Sequence, residues 1–119
     1  MKIIIDCKLE NLNEMISSNR TNKYIGATHK RKEMNLIKWF LRGVPKIDKY
    51  PIKLNCTWHV KNINSDLDNK ILKNVLDAMQ EVGILENDNI SHIREINNIA
   101  IKGKKDYLEM EIEEIDGNN

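Results

Sequence analysis

Three aspartates around one predicted helix have the residue type and spacing to hold a divalent metal ion. Asp66 and Asp68 are separated by one residue just before an amphipathic segment, and Asp88 follows shortly after that segment. Mg²⁺ binds oxygen ligands in near-octahedral geometry, and one or two carboxylates commonly hold it while phosphate and water complete the coordination. Lys70 and Lys73 lie in the same segment, where an ammonium group can offset negative charge on a phosphate. The pattern predicts metal-assisted cleavage of a phosphodiester.

The stretch from residue 64 to residue 88 carries these groups in a fixed order. The elements of the pattern are Asp66-x-Asp68-Asn69, Lys73, Leu76-Asp77-Ala78-Met79 and Gly83-Ile84-Leu85-Glu86-Asn87-Asp88. This order resembles the fingerprint of the RusA family of Holliday junction resolvases, which reads D-x-D-N, a lysine, L-D-A-L and then an acidic pair. Lys73 follows the D-x-D-N element after three residues where the family has two, so Lys70 is an alternative equivalent. Only Asp88 of the final pair is acidic here.

The resemblance implies a Mg²⁺-dependent endodeoxyribonuclease, with Mn²⁺ as a possible substitute, that resolves four-way junctions by paired symmetric nicks in DNA recombination and repair. It assigns Asp66, Asp68 and Asp88 to the metal and Lys73, or Lys70, to the phosphate. A junction has two strands to cut, whereas one chain carries a single acidic motif. The resemblance therefore implies a homodimer, for which two-fold symmetry is the commonest solution. It also implies a bacterial or phage protein.

Basic residues are concentrated in one region of the chain. Residues 20–49 include nine basic and two acidic residues, although the net charge of the whole chain is only +1. A local basic surface suits a polyanion, because each neutralised phosphate releases counterions. A solvated helix face explains the same charges equally well. The candidate DNA contacts are Arg20, Lys23, Lys30, Arg31, Lys32 and Lys70.

Two other functions fit parts of the acidic motif. Asp66, Asp68 and Asp77 occupy positions 1, 3 and 12 of a calcium-binding loop, but the sixth position lacks glycine and the twelfth lacks glutamate. A non-catalytic protein that binds branched DNA would use Asp66 and Asp68 for helix capping and solubility. Asp77 follows Lys73 by four residues, so we expect a surface ion pair there rather than a metal ligand.

Hydrophobic periodicity predicts a small α+β domain that spans residues 1–119. The predicted strands cover residues 2–9, 51–60, 90–101 and 107–115. The predicted helices cover residues 28–42 and 69–82, the second with Asp68 as its N-cap and Gly83 at its end, and residues 12–16 form a shorter helical piece. We expect the last two strands to form an antiparallel hairpin and residues 116–119 a frayed tail. The expected architecture is a mixed sheet with helices packed against it.

The composition is that of a globular protein with a modest core: 119 residues, 40% hydrophobic and 31% charged. No apolar run is long enough for a membrane span or a signal peptide, so we expect a cytoplasmic protein without a membrane partner. Cys7 and Cys56 form no CxxC motif, and we expect them to be buried rather than to bind zinc. We expect Tyr24 to pack against the protein.

Overall fold

A computed structural model describes residues 1–116 of the chain, and it confirms an α+β fold. The strands in this part of the chain are β1 (Lys2–Ile5), β2 (Ile52–Val60), β3 (Ile93–Lys102) and β4 (Tyr107–Glu114). The helices are α1 (Leu12–Thr21), α2 (Lys23–Phe40) and α3 (Lys73–Glu81), with a short 3₁₀ helix at Leu67–Asn69. Apart from Asp116, the predicted tail lies outside the described residues.

The four strands form one mixed sheet in the order β1-β4-β2-β3. Strand β4 is antiparallel to both of its neighbours, β1 and β2. Strands β2 and β3 run parallel, with Ile52 opposite Ile93 and Val60 opposite Lys102. The edges of the sheet are therefore β1, which has four residues, and β3, which has ten.

The predicted hairpin between the last two strands is wrong, because β2 lies between them. The link from β3 to β4 passes the end of β2, where the Gly103 N–H donates to the Val60 carbonyl at 2.8 Å. The apolar side chains of β4 pair with those of β2 on one buried face, as Leu108 does with Trp58. Met110 pairs with Cys56 and Ile112 with Leu54 in the same way, so the β2–β4 pair buries a continuous apolar face.

The core lies between one face of the sheet and helices α2 and α3. Alternate residues of β2 are buried along the whole strand. Met34 and Ile37 of α2 and Val75 and Met79 of α3 belong to the same buried cluster. The opposite face of β2 and β4 is only partly buried and carries ion pairs, such as the one at 3.2 Å between Lys53 and a glutamate of β4. The sheet therefore has one helix-covered face and one helix-free face.

The two cysteines behave as core residues. Cys56 is buried and Cys7 is partly buried, and neither forms a disulfide. Burial is the largest cause that raises the pKa of both thiols to about 11, and the nearby Glu33 and Asp6 carboxylates add to the effect at Cys7. The prediction of burial is confirmed for Cys56 and holds in part for Cys7.

The helix boundaries differ from the predicted ones because asparagine side chains cap helices in the structure. Asn11 accepts from a backbone N–H in the first turn of α1, which extends well beyond the predicted short piece. Asn22 accepts from the Tyr24 N–H at 2.7 Å, so α2 begins five residues earlier than predicted. Among residues 1–116, no helix is both long and hydrophobic enough to cross a bilayer.

The start of α3 also corrects a prediction. The helix begins at Lys73 with Leu72 as its N-cap, and Asp68 lies in the preceding 3₁₀ helix instead of capping α3. Gly83 follows the end of α3 with φ of +82°, the left-handed conformation that glycine adopts without steric cost. Its predicted role at the helix end is confirmed.

Candidate functional site

Asp66 and Asp68 lie together just after the carboxyl end of β2, in the segment of the 3₁₀ helix, which lies against β3. Both residues are exposed. Asp66 occupies the N-cap position of the 3₁₀ helix, but its side chain makes no capping hydrogen bond. Within residues 1–116, neither carboxylate takes part in a hydrogen bond or an ion pair. Both carboxylates are therefore free to bind a ligand.

Asp88 lies in the loop between α3 and β3, at the other end of the strand pair. The backbone of this loop is fixed to the start of β2: the Glu86 N–H donates to the Tyr50 hydroxyl at 3.0 Å. The Ile52 N–H donates to the His92 carbonyl at 2.7 Å. Asp88 is exposed, and within residues 1–116 its carboxylate forms no hydrogen bond or ion pair.

Asp66 and Asp68 thus lie in one short segment, whereas Asp88 of the same chain lies at the other end of the strand pair. The eight steps from Ile52 to Val60 span about 26 Å at a rise of about 3.3 Å per residue. Residues 1–116 contain no group of three or more His, Cys, Asp or Glu side chains that could hold a metal ion. The two neighbouring carboxylates suit Mg²⁺ with phosphate and water as further ligands. A third carboxylate would have to come from another molecule.

Three of the predicted lysines line one cleft between α1, α2 and α3. Lys23, Lys30 and Lys73 surround this cleft, which has a volume of about 240 Å³. The Lys30 ammonium lies 3.1 Å from the Asp77 carboxylate, and the Lys73 ammonium lies 3.9 Å from the same oxygen. The expected Lys73–Asp77 pair is therefore present, but Lys30 is the closer partner. Asp77 holds α2 and α3 together, and Lys73 remains largely exposed.

Lys70 lies on a different surface from Lys73. It lines a small cavity at the carboxyl end of β2, together with His59, Asp106 and Tyr107. This end of β2 also leads into the segment that holds Asp66 and Asp68. The two candidate lysines therefore lie at different places. Lys70 lies beside the carboxyl end of β2, and Lys73 lines the cleft between the helices.

The remaining basic candidates lie on the exposed surface of α1 and α2. Arg20 is in the last turn of α1, and Arg31 and Lys32 are exposed on α2. Within residues 1–116, these three side chains make no ion pair. Tyr24 is 80% exposed in the first turn of α2, so the prediction that it packs against the protein is wrong. An exposed ring next to free basic groups suits stacking on an unpaired base.

Sequence analysis did not identify the buried polar contact that joins α2 to α3. Asn74 of α3 is only 3% exposed and donates to the Glu33 carboxylate at 3.3 Å. The same carboxylate accepts from the Glu10 N–H at 2.9 Å. Burial is the main cause that raises the pKa of Glu33. Glu33 lies four residues before Ile37 on the inner side of α2, a spacing that signals its position.

Compared with known proteins, the chain matches no family model and no curated protein sequence.

Proposed function

We propose that this chain is a Mg²⁺-dependent endodeoxyribonuclease that nicks four-way DNA junctions as a cytoplasmic homodimer, the activity implied by its resemblance to the RusA family. One observation carries the proposal. Asp66 and Asp68 lie two positions apart in one short segment, and their carboxylates are exposed and free of capping bonds and ion pairs. Two exposed carboxylates that no cationic side chain neutralises are available to a hard cation, which prefers oxygen ligands.

The chemistry requires little beyond these groups. A Mg²⁺ ion held there would supply Lewis-acid chemistry: polarisation of a phosphoryl oxygen and activation of water. Asp66 and Asp68 would hold the ion and orient the phosphate beside it. Lys70, at the same strand end, would offset charge that develops on the phosphate. Lys73 is the alternative for this role, since its ammonium is also exposed.

The basic surface supports a nucleic-acid substrate. Three basic side chains on α1 and α2 are exposed and form no ion pair within residues 1–116: Arg20, Arg31 and Lys32. Lys23 and Lys73 line the same cleft between the helices. Such contacts go to phosphates and position the duplex without reading its sequence. A protein that selects branched DNA by shape needs no more than this from its surface.

The position of Asp88 supports a dimer. Within one chain Asp88 lies at the end of the β2–β3 pair opposite to Asp66 and Asp68. A second copy related by a two-fold axis could supply its own Asp88 to the first copy's pair of carboxylates. The full set of three predicted ligands would then form twice per dimer, as two symmetric nicks require.

The direct test is incubation of the protein with a labelled four-way junction, or with a linear duplex of the same arms, in Mg²⁺ or EDTA. We expect Mg²⁺-dependent nicks confined to the junction. Asp68→Asn should lower the rate by about a hundredfold or more. Glu14→Gln is the matched control, because it removes an exposed carboxylate from α1, outside the motif. Full activity of Asp68→Asn would contradict the proposal.

A non-catalytic protein that binds branched DNA is the second candidate, and the separation of Asp88 from the other two aspartates favours it. This candidate gives Asp66 and Asp68 a capping role, for which α3 provides no support because its N-cap is Leu72. Tight junction binding without cutting, in Mg²⁺ or Mn²⁺, would establish the second candidate and exclude the first.

A further inference from the structure

Strand β3 is an open edge of the sheet with apolar side chains on both of its faces. Its ten residues pair with β2 on one side, and no strand among the described residues pairs with the other. All but the first residue of β3 are exposed. The helix layer does not cover Ile96, and the helix-free face carries Ile99 and Ile101. A long apolar edge with unpaired backbone groups is a template for another strand.

We propose that β3 pairs antiparallel with β3 of a second copy, which joins the two sheets into one of eight strands about a two-fold axis. An antiparallel pair of identical strands is self-complementary, since each residue of one copy meets the same partner as its equivalent in the other. In such a dimer both β3 edges are paired with each other, so no further copy can add to them and the assembly contains two copies.

The charges around β3 fit this antiparallel arrangement. Glu86 and Asp88 precede the strand, whereas Lys102 and Lys104 lie at its end and just beyond it. Antiparallel pairing places the acidic residues before β3 of one copy beside the basic residues at the end of β3 of the other. A parallel pair would instead place like charges together. Complementary charge of this kind selects the orientation of association more than it adds affinity.

The same arrangement places Asp88 where the proposed function needs it. The start of β3 in one copy would lie beside the end of β3 in the other, and that end adjoins the carboxyl end of β2 and the segment of Asp66 and Asp68. This argument rests on the proposed function, whereas the open edge and the charges do not. A second copy would therefore pair the open backbone groups of β3, match the charges at its two ends and bring Asp88 to the other two aspartates.

The test is the molar mass of the full chain by light scattering and sedimentation, measured over a range of concentrations. We expect a dimer for the wild type. Ile99→Lys and Ile96→Lys, on opposite faces of β3, should each weaken dimerisation by at least about thirtyfold. Ile4→Lys is the matched control, because Ile4 is exposed to a similar degree on the other sheet edge, at 46% against 56% for Ile99. Circular dichroism checks that each variant is folded. If only one β3 variant folds, the dimerisation of that variant alone tests the interface.

Each other outcome overturns the inference. A monomeric wild type excludes it, a dimer that both β3 variants leave intact places the interface elsewhere, and an open assembly of growing mass excludes closure. Junction cutting is measured on the same samples. A dimer that dissociates as expected but never cuts DNA would uphold this interface and contradict the proposed function. Cutting by a dimer that the β3 variants do not disturb would do the reverse.

Discussion

The two edges of the sheet differ in length, chemistry and surroundings. β1 has four residues, and its Lys2 forms an ion pair at 3.4 Å with Glu109 of the neighbouring strand. β3 has ten residues, with exposed isoleucines on both faces. Short strands and charged side chains are the usual protection of an edge against pairing. β3 is long, and its charged residues Arg94, Glu95 and Lys102 lie near its two ends, so its middle is uncharged. The difference makes β3, and not β1, the edge that the proposed dimer would use.

The acidic motif is arranged around the open edge. Asp66 and Asp68 follow the strand that β3 pairs with, and Asp88 leads into β3 itself. Near β1, by contrast, the Asp6 carboxylate lies 2.9 Å from the Lys105 ammonium and is already neutralised. The unpaired aspartates of the motif therefore lie near the edge that the proposed dimer uses, and the paired Asp6 lies near the other edge.

The largest effect is expected from mixing two inactive variants. Asp68→Asn and Asp88→Asn should each fail to cut junctions. If the β3 edge joins the two copies, a mixed dimer has one site with all three native aspartates. Co-expression in equal amounts should restore about a quarter of the wild-type nicking, because half of the dimers are mixed and each has one complete site. A site contained in one chain would show no recovery, so the rate of the mixture relative to either variant alone decides between the two arrangements.

Hydrogen exchange should separate the two edges at the level of the backbone. We expect the amides of β3 that face away from β2 to exchange at least about a hundredfold more slowly in the wild type than in Ile99→Lys, because only the dimer gives them partners. Amides on the open side of β1 should exchange at equal rates in both proteins. Mass spectrometry of peptides from each strand measures the difference. Equally fast exchange of β3 in both proteins would contradict the dimer interface.

A moderate loss of stability is expected from Asn98→Ala on β3. The side-chain oxygen of Asn98 accepts from the indole N–H of Trp58 at 2.9 Å, and Trp58 is buried. The substitution leaves a buried donor without a partner, which costs about 1–3 kcal/mol. Urea unfolding of Asn98→Ala in the Ile99→Lys background measures this cost without a contribution from dimerisation. An unchanged free energy of unfolding would mean that water replaces the asparagine.

The smallest effect is expected from Lys2→Ala on β1. The side chain of Lys2 is more than half exposed, and exposed ion pairs contribute less than about 1 kcal/mol. Urea unfolding should show a correspondingly small change, and added salt should reduce it further. A loss of stability as large as that of Asn98→Ala would contradict this difference between the exposed ion pair of β1 and the buried hydrogen bond of β3.

The sequence predicted the elements better than their pairing. The strict alternation of β2 identified that strand almost to the residue, and the turn glycines after α2 and α3 both adopt positive φ. The hairpin of β3 and β4 was wrong because local pattern cannot report a strand inserted from earlier in the chain. Only the matching apolar faces of β2 and β4 favour that insertion, and such a match involves residues far apart in sequence.

The candidate site shows the same limit. Asp66 and Asp68 are neighbours in sequence, so their adjacency needed no knowledge of the fold. The position of Asp88 depends on the parallel pairing of β2 and β3, which placed it at the opposite end of the strands. The Lys30–Asp77 contact, at 3.1 Å between two helices, was equally inaccessible because only tertiary packing joins these residues. The caps at Asn11 and Asn22 were local, but a run of asparagines fits a loop as well as a cap.

Strand β4 is the last strand to be synthesised, yet it is the one that pairs with both β1 and β2. The pairing of Lys2 with Glu111 closes nearly the whole chain into one loop. As the polypeptide leaves the ribosome, β1 therefore stays unpaired until residues near 114 emerge, and the parallel β2–β3 pair has to form without its antiparallel neighbour. Such high contact order predicts slow folding and a nascent chain whose apolar strands stay exposed until β4 has emerged.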